Sequence, residues 1–251
     1  MARVSEGSFL GLFDVEKPVM GMLHLKGETD GTVLERVKRE ADIYAAGGVD
    51  AVIVENYFGT YDSMLTALEY LRDQGPEIPF GVNCLNVDAI GFDLARNFGA
   101  SFVQLDSVVG HVKPRDESAF AAFLAKERPS FNGFVLGGVR FKYQPCLSEN
   151  TVEEDLAIAR DRCDGVVVTQ DATGQETSIE KIERFRAGLG EGFPLVVGAG
   201  VTPANARESL AVADAAIVGS FFKDTYKDEG DVDASHVAEL MAEVRRIRAA
   251  L

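Results

Sequence analysis

Leu195-Val196-Val197-Gly198-Ala199-Gly200-Val201-Thr202-Pro203 passes from an apolar run, through two glycines, to a helix-start signal. The β-branched run reads as a strand buried on both faces. Thr202 suits a helix N-cap and Pro203 the first helical position, so the stretch predicts strand, tight turn and helix in immediate succession. Working outward, similar short apolar runs recur along the whole chain. They are Val19–Leu25, Ala51–Val54, Pro79–Val82, Phe102–Leu105, Phe134–Val139, Val166–Val168, Leu195–Val197 and Ala215–Val218. Helical periodicity fills the intervals: Val33, Val37, Ala41 and Tyr44 share one helix face, and Val152, Leu156, Ala159 and Cys163 another. Val237, Leu240, Met241, Val244 and Ile247 stripe the last helix. Eight strand–helix units predict a TIM (β/α)8 barrel. The competing doubly wound sheet lacks its G-x-G-x-x-G fingerprint after the first strand.

Size and composition agree with one such domain over residues 1–251, residues 1–16 forming an N-terminal extension. The 251 residues are 46% hydrophobic, which excludes global disorder, and no apolar run is long enough for a membrane span. Arg3 and the short Phe9–Phe13 run do not make a signal peptide. Cys84, Cys146 and Cys163 are odd in number and show no C-x-x-C spacing. They read as free thiols in a reducing, cytoplasmic compartment. A formal charge of −15 argues against nucleic acid and anionic lipid as partners. Any anionic ligand therefore needs a locally positive site. A homo-oligomer is left open.

In a barrel of this type the residues just past each strand converge on one mouth. Here they are His24, then Glu55 and Asn56, Asn83, Asp106, Arg140 and Lys142, Thr169 and Asp171, Gly198-Ala199-Gly200, and Gly219-Ser220. The two glycine turns, Gly198–Gly200 and Gly219-Ser220, form an expected phosphate cradle, because glycine lets main-chain N–H groups approach an anion closely. Backbone donors also supply positive potential without a basic surface. Arg140 and Lys142, two apart on an expected strand, project to one side. Lys142 is then an electrostatic clamp or, if desolvated, an amine nucleophile. Glu55 after an apolar run is a general acid or base, or a salt-bridge partner of Lys142. His24 is a proton carrier, a metal ligand or a hydrogen-bonded structural residue. No second histidine is well placed, with His111 in a polar loop (Gly110–Asp116) and His236 at the last helix, so neither metal nor cofactor is predicted. A second polar loop spans Lys223–Asp233.

Several of these segments resemble the BtpA/SgcQ family: Met22-Leu23-His24-Leu25, Val52–Tyr57, Gly81-Val82-Asn83, Val139–Lys142, Val167–Gly174, Gly198–Asn205 and Ala216–Ser220. The resemblance runs from Pro18 to about Lys223 and implies a barrel related to phosphate-binding barrels. It implies two kinds of role, photosystem I biogenesis factor or enzyme of unsettled activity. The chain departs from the family pattern at Lys26–Asp30, where a proline-rich turn is usual. It departs again at Thr169-Gln170-Asp171, where Thr-Gly-Glu is usual, and Gly110–Asn132 is compact.

The resulting expectation is a lyase or isomerase acting on a small phosphorylated metabolite, a sugar phosphate or nucleoside-derived phosphate. Glu55, Lys142, Asp171 and His24 are its catalytic candidates. Asn56, Asn83, Asp106, Arg140 and Thr169 are substrate-binding candidates, and Gly198, Gly200, Gly219 and Ser220 hold the phosphate. The alternatives are a non-catalytic assembly factor and a metabolite sensor.

Overall fold

The eight apolar runs become eight parallel strands: β1 (Val19–His24), β2 (Ala51–Glu55), β3 (Phe80–Asn83), β4 (Phe102–Leu105), β5 (Phe134–Gly138), β6 (Gly165–Val168), β7 (Leu195–Gly198) and β8 (Ala215–Val218). Each pairs with its sequence neighbours and β8 pairs with β1, closing a single-domain TIM (β/α)8 barrel. The computed structural model describes residues 7–109, 116–144 and 146–251. His111 and most of the Gly110–Asp116 loop lie outside the described residues, as do residues 1–6 of the N-terminal extension.

The helices are α1 (Asp30–Gly47), α2 (Tyr61–Asp73), α3 (Asp88–Phe98), α4 (Glu117–Glu127), α5 (Val152–Arg162), α6 (Ile179–Leu189), α7 (Ala206–Val212) and α8 (Ala234–Arg248). Local sequence sets most of their starts. Thr29, Thr60, Asp116, Thr151, Ser178 and Asp233 each accept a first-turn N–H at the N-cap. The helix after β7 begins later than Thr202-Pro203 predicts. The Thr202 amide donates to Asn205 Oδ1 at 2.8 Å and Asn205 Nδ2 donates to Gly200 O at 2.9 Å, so a turn intervenes and Asn205 becomes the N-cap.

Two apolar cores result. The larger lies between strands and helices and contains the periodic residues of α1, α5 and α8. The smaller fills the barrel with Met20, Ile53, Phe102, Leu136 and Val196. Part of the N-terminal extension belongs to this second core. A 3₁₀ turn at Phe9–Leu12 inserts fully buried Phe9 into the barrel floor, its ring 5.6 Å from Phe102 and 6.2 Å from Phe134 in edge-to-face contact.

A repeated carboxylate device also holds the floor. Asp50, Asp164 and Asp214 precede β2, β6 and β8, and each accepts a main-chain N–H from the preceding strand: Val19 at 2.7 Å, Val135 at 2.7 Å and Leu195 at 2.9 Å. Arg248, Arg128 and Arg186 neutralise them. These contacts lie at the N-terminal ends of the strands and leave the opposite mouth to other work. Cys84, Cys146 and Cys163 are free. Among the described residues no helix is long and apolar enough to cross a membrane.

Candidate active site

Side-chain alternation carries polar groups to the top of the barrel interior. Below Met22 and Met20 on β1, and below Ile53 and Ala51 on β2, the inward positions are apolar; the next inward positions are His24 and Glu55. The strand register pairs His24 with Glu55 and Glu55 with Asn83. One level of the mouth is thus polar across three adjacent strands, and Gln104 of β4 continues it.

His24, Glu55, Lys142 and Thr169 line one cavity together with Gly198, Gly200, Gly219 and Ser220. The two glycine turns therefore face the acid–base candidates. A Cβ built on Gly219 lies 3.5 Å from Met22 Cγ and 4.0 Å from His24 Cε1, which puts that turn at the edge of the histidine itself. Ala199 and Gly200 both take left-handed conformations, φ +64° and +67°, and a Cβ on Gly200 would lie 2.4 Å from the Glu176 backbone. Gly174, φ +75°, closes against Ser220 from the loop after β6. The turns after β6, β7 and β8 are thereby packed into a single wall, with Thr177 Oγ1 donating to Gly198 O at 2.8 Å.

Glu55 is 4% exposed and held from two sides. Asn83 Nδ2 donates to Glu55 Oε1 at 3.0 Å and to Asp106 Oδ1 at 3.1 Å, bridging the carboxyls. His24 Nε2 faces Glu55 Oε2 at 3.3 Å. His24 Nδ1 donates to the Asp228 carbonyl at 2.9 Å, which fixes the ring, so one proton serves the remaining His24–Glu55 contact. Burial, followed by the charge of Glu55, pushes the Asp106 carboxyl up to about 6. Lys142 sits at the rim, its Nζ donating to Thr173 Oγ1 at 3.2 Å and its amide to Thr169 Oγ1 at 2.8 Å.

The remaining candidates stand apart from the cavity wall. Asn83 and Asp106 support Glu55 from behind. Asn56 accepts the Leu85 amide at 2.7 Å and ties two loops together. Arg140 departs from expectation because β5 stops at Gly138 and Arg140 takes φ +48°. Its side chain turns away from Lys142 to fully buried Asp155, with Nε donating at 2.9 Å, and to the Asn150 carbonyl at 2.7 Å. Asp171 also departs: β6 ends at Val168, and the exposed Asp171 lines an outer groove with Arg140 and Lys181. Of the two alternatives for Glu55, the salt bridge to Lys142 is replaced by a contact with His24.

Three features escape sequence reading. Gln104 lines the cavity at 4% exposure, and its only signal is a polar residue inside the strand Phe-Val-Gln-Leu. Asp228 comes from the Lys223–Asp233 loop, which is less polar in its surroundings than its composition suggests. Lys223 is completely buried, its Nζ donating to Glu40 Oε2 at 3.2 Å, while Glu40 Oε1 accepts the Val232 amide at 3.1 Å. That anchor brings Asp228 beside Tyr57, whose phenol is pushed up to about 12 by burial and then by the Asp228 carboxylate. Among the described residues no group of three His, Cys, Asp or Glu side chains is arranged to hold a metal ion.

The same barrel occurs in solved structures of low sequence identity. A native KDPGal structure superposes with a TM-score of 0.65 at 14% identity, covering 93% of this chain and 97% of that one. Phosphoribosyl anthranilate isomerase from Thermus thermophilus gives 0.64 at 14% identity, covering 92% of this chain and 100% of that one. At such identities the likeness is one of fold. In sequence, the photosystem I biogenesis protein BtpA of Synechocystis sp. is 27% identical, with 84% of this chain and 82% of the relative covered. Residues 15–246 match the BtpA family from the strand-1 approach to the end of the last helix, and the chain belongs to that family.

Proposed function

We propose that this BtpA-family barrel is an enzyme of isomerase or lyase type acting on a small phosphorylated metabolite, a sugar phosphate or a nucleoside-derived phosphate. The observation that carries the reading is the shared cavity of the Gly198–Gly200 and Gly219-Ser220 turns with Glu55, His24 and Lys142. Main-chain donors of the turns hold the phosphate, which supplies the local positive potential that an overall charge of −15 otherwise denies. Phosphoribosyl anthranilate isomerase, a barrel of the same fold, is by name an enzyme of a phosphoribosyl compound.

Glu55 then takes or returns a substrate proton, with Asn83 and His24 fixing its carboxylate in one orientation. Lys142 stabilises negative charge developing on a substrate oxygen. In a carbon–carbon lyase, the Lys142 amine instead adds to a substrate carbonyl and forms an imine with loss of water.

A thermal-shift screen of sugar phosphates and nucleotides tests the reading, using the parent and Gly219→Asp. Gly219 has a negative φ, −113°, and a Cβ there meets only ordinary van der Waals contacts, so the substitution places a negative charge at the cavity. Phosphorylated compounds should stabilise the parent and leave the variant unmoved. Turnover of a stabilising compound should vanish in Glu55→Gln, and borohydride should trap an adduct on Lys142 if the imine forms. Failure of every phosphorylated compound to bind would refute the proposal and favour the assembly role that the Synechocystis relative's name carries.

A further inference from the structure

Gln104 presents a carbonyl oxygen, Oε1, that is buried without a hydrogen-bond partner among the described residues. The side chain is 4% exposed and lines the same cavity as Glu55 and the glycine turns. Its orientation is set from behind. The Gln104 side chain acts on the Asp106 carboxyl as a donor that lowers it, and only the amide NH₂ can donate, so Oε1 is the end left over.

The surrounding donors are already spent. Asn83 divides its two N–H groups between Glu55 Oε1 and Asp106 Oδ1. His24 uses Nδ1 on the Asp228 carbonyl and turns Nε2 to Glu55. Met22, Val167 and Ile217, which also line the cavity, have nothing to donate, and the hydroxyls of Thr169, Thr173 and Ser220 and the Lys142 amine make no bond to Oε1. A buried acceptor left unpaired is costly, and this half of the mouth holds more acceptors than donors.

We infer that Gln104 is a specificity-determining residue that accepts a hydrogen bond from a substrate hydroxyl, so that the site takes a polyhydroxylated phosphate ester. The inference rests on the phosphate-metabolite reading above and narrows it. The phosphate is held by the glycine wall, and the carbon chain reaches across the cavity to β4. Compounds that carry phosphate but no hydroxyl at that distance satisfy one wall only. Asp106 and Asn83 act behind the contact as positioning residues.

The test measures binding of three kinds of probe: methyl phosphate, a panel of pentose and hexose phosphates, and their monodeoxy counterparts. Each is titrated into the parent and into Gln104→Met, which keeps the length of the side chain and removes the acceptor. At least one hydroxylated phosphate should bind the parent tenfold or more tighter than methyl phosphate, and one of its monodeoxy forms should lose about tenfold. Gln104→Met should weaken the hydroxylated ligand about tenfold, change methyl phosphate less than twofold, and abolish the difference between ligand and deoxy form.

Methyl phosphate binding with indifference to every hydroxyl would overturn the inference and leave the phosphate reading intact. Binding of unphosphorylated sugars, weakened by Gln104→Met, without binding of methyl phosphate would do the reverse. If neither series binds the parent, both are overturned. Should the variant lose methyl phosphate as well through misfolding, the monodeoxy comparison on the parent decides alone, and no loss for any deoxy form overturns the assignment.

Discussion

Replacing Asp106 by asparagine should make the protein more stable, and increasingly so as pH rises. The Asp106 carboxyl is held at about 6, against an ordinary value of 3.8, by burial and by the neighbouring charge of Glu55. The folded state therefore binds this proton more tightly than the unfolded state does. Its contribution to stability is fully present below about pH 3.8, declines as pH rises through about 6, and is gone above that. The difference corresponds to about 3 kcal/mol if the group is fully ionised at the upper end. Asparagine removes the charge and retains an acceptor for Asn83, but turns an NH₂ where Gln104 donates, so we expect about 1–2 kcal/mol to be recovered. For a chain of this length that is a rise of about 2–8 °C in Tm. Thermal unfolding of the parent and Asp106→Asn between pH 4 and pH 8 should show a Tm difference near zero at the acid end that grows through pH 6. A difference independent of pH, or a variant less stable at pH 8 than the parent, would refute the argument that ionised Asp106 is held at a cost. A carboxylate kept in an unfavourable place is what an active site maintains at the expense of stability.

Three other substitutions probe the frame around the cavity. Phe9→Ala empties the barrel floor of a fully buried ring and should lower unfolding stability by about 3–5 kcal/mol in urea; a loss under 1 kcal/mol would mean the N-terminal turn does not seal the barrel. Arg140→Met removes the ion-pair partner of fully buried Asp155, leaving its other hydrogen bonds in place, and should cost about 3 kcal/mol while leaving phosphate-compound binding within twofold of the parent; a selective loss of binding at unchanged stability would return Arg140 to the site. Gly200→Ala forces a Cβ against the Glu176 backbone at positive φ and should destabilise by about 2 kcal/mol or more, whereas Gly219→Ala, whose Cβ meets only ordinary van der Waals contacts at negative φ, should change Tm much less; equal effects would contradict the packed-wall description.

The strands were legible from continuous apolar runs, and the level of the mouth from the period of two along each strand. β-branched runs mark strands buried on both faces, and the first polar residue on the inward side marks the end of the apolar filling. His24, Glu55 and Thr169 obey this rule, and on the last two strands Gly198 and Gly219 take the corresponding inward place. Arg140 and Asp171 depart from it because their strands end two or three residues earlier. Beyond a strand end the chain direction depends on a single dihedral, such as φ +48° at Arg140, and a buried Asp155 waiting on α5 decides where the guanidinium goes. No local spacing encodes that. Thr202-Pro203 misled in the same way: a favourable helix-start signal lost to the Asn205 side chain, which takes the Thr202 amide from three residues further on.

The division of the mouth follows from these same constraints. Strands β1 to β4 bring His24, Glu55, Asn83 and Gln104 to one level, and contacts join the first three in a row that Asn83 extends to Asp106. Strand β7 ends in Gly198, Gly219 follows β8 directly, and the turn after β6 carries Gly174, so three glycine turns give the facing wall much exposed main chain. On the proposed reading, a ligand between the two halves meets acceptors on one side and main-chain amides on the other. Such a pair of walls suits a molecule that is anionic at one end and a hydrogen-bond donor at the other, and an acidic protein can bind it without any basic patch. Adding side-chain volume to the glycine wall or removing the acceptor from β4 should therefore impair opposite ends of the same ligand. Gly219→Asp and Gln104→Met, measured singly and together on a hydroxylated phosphate and on methyl phosphate, separate those ends: the first should abolish both ligands, and the second only the preference between them.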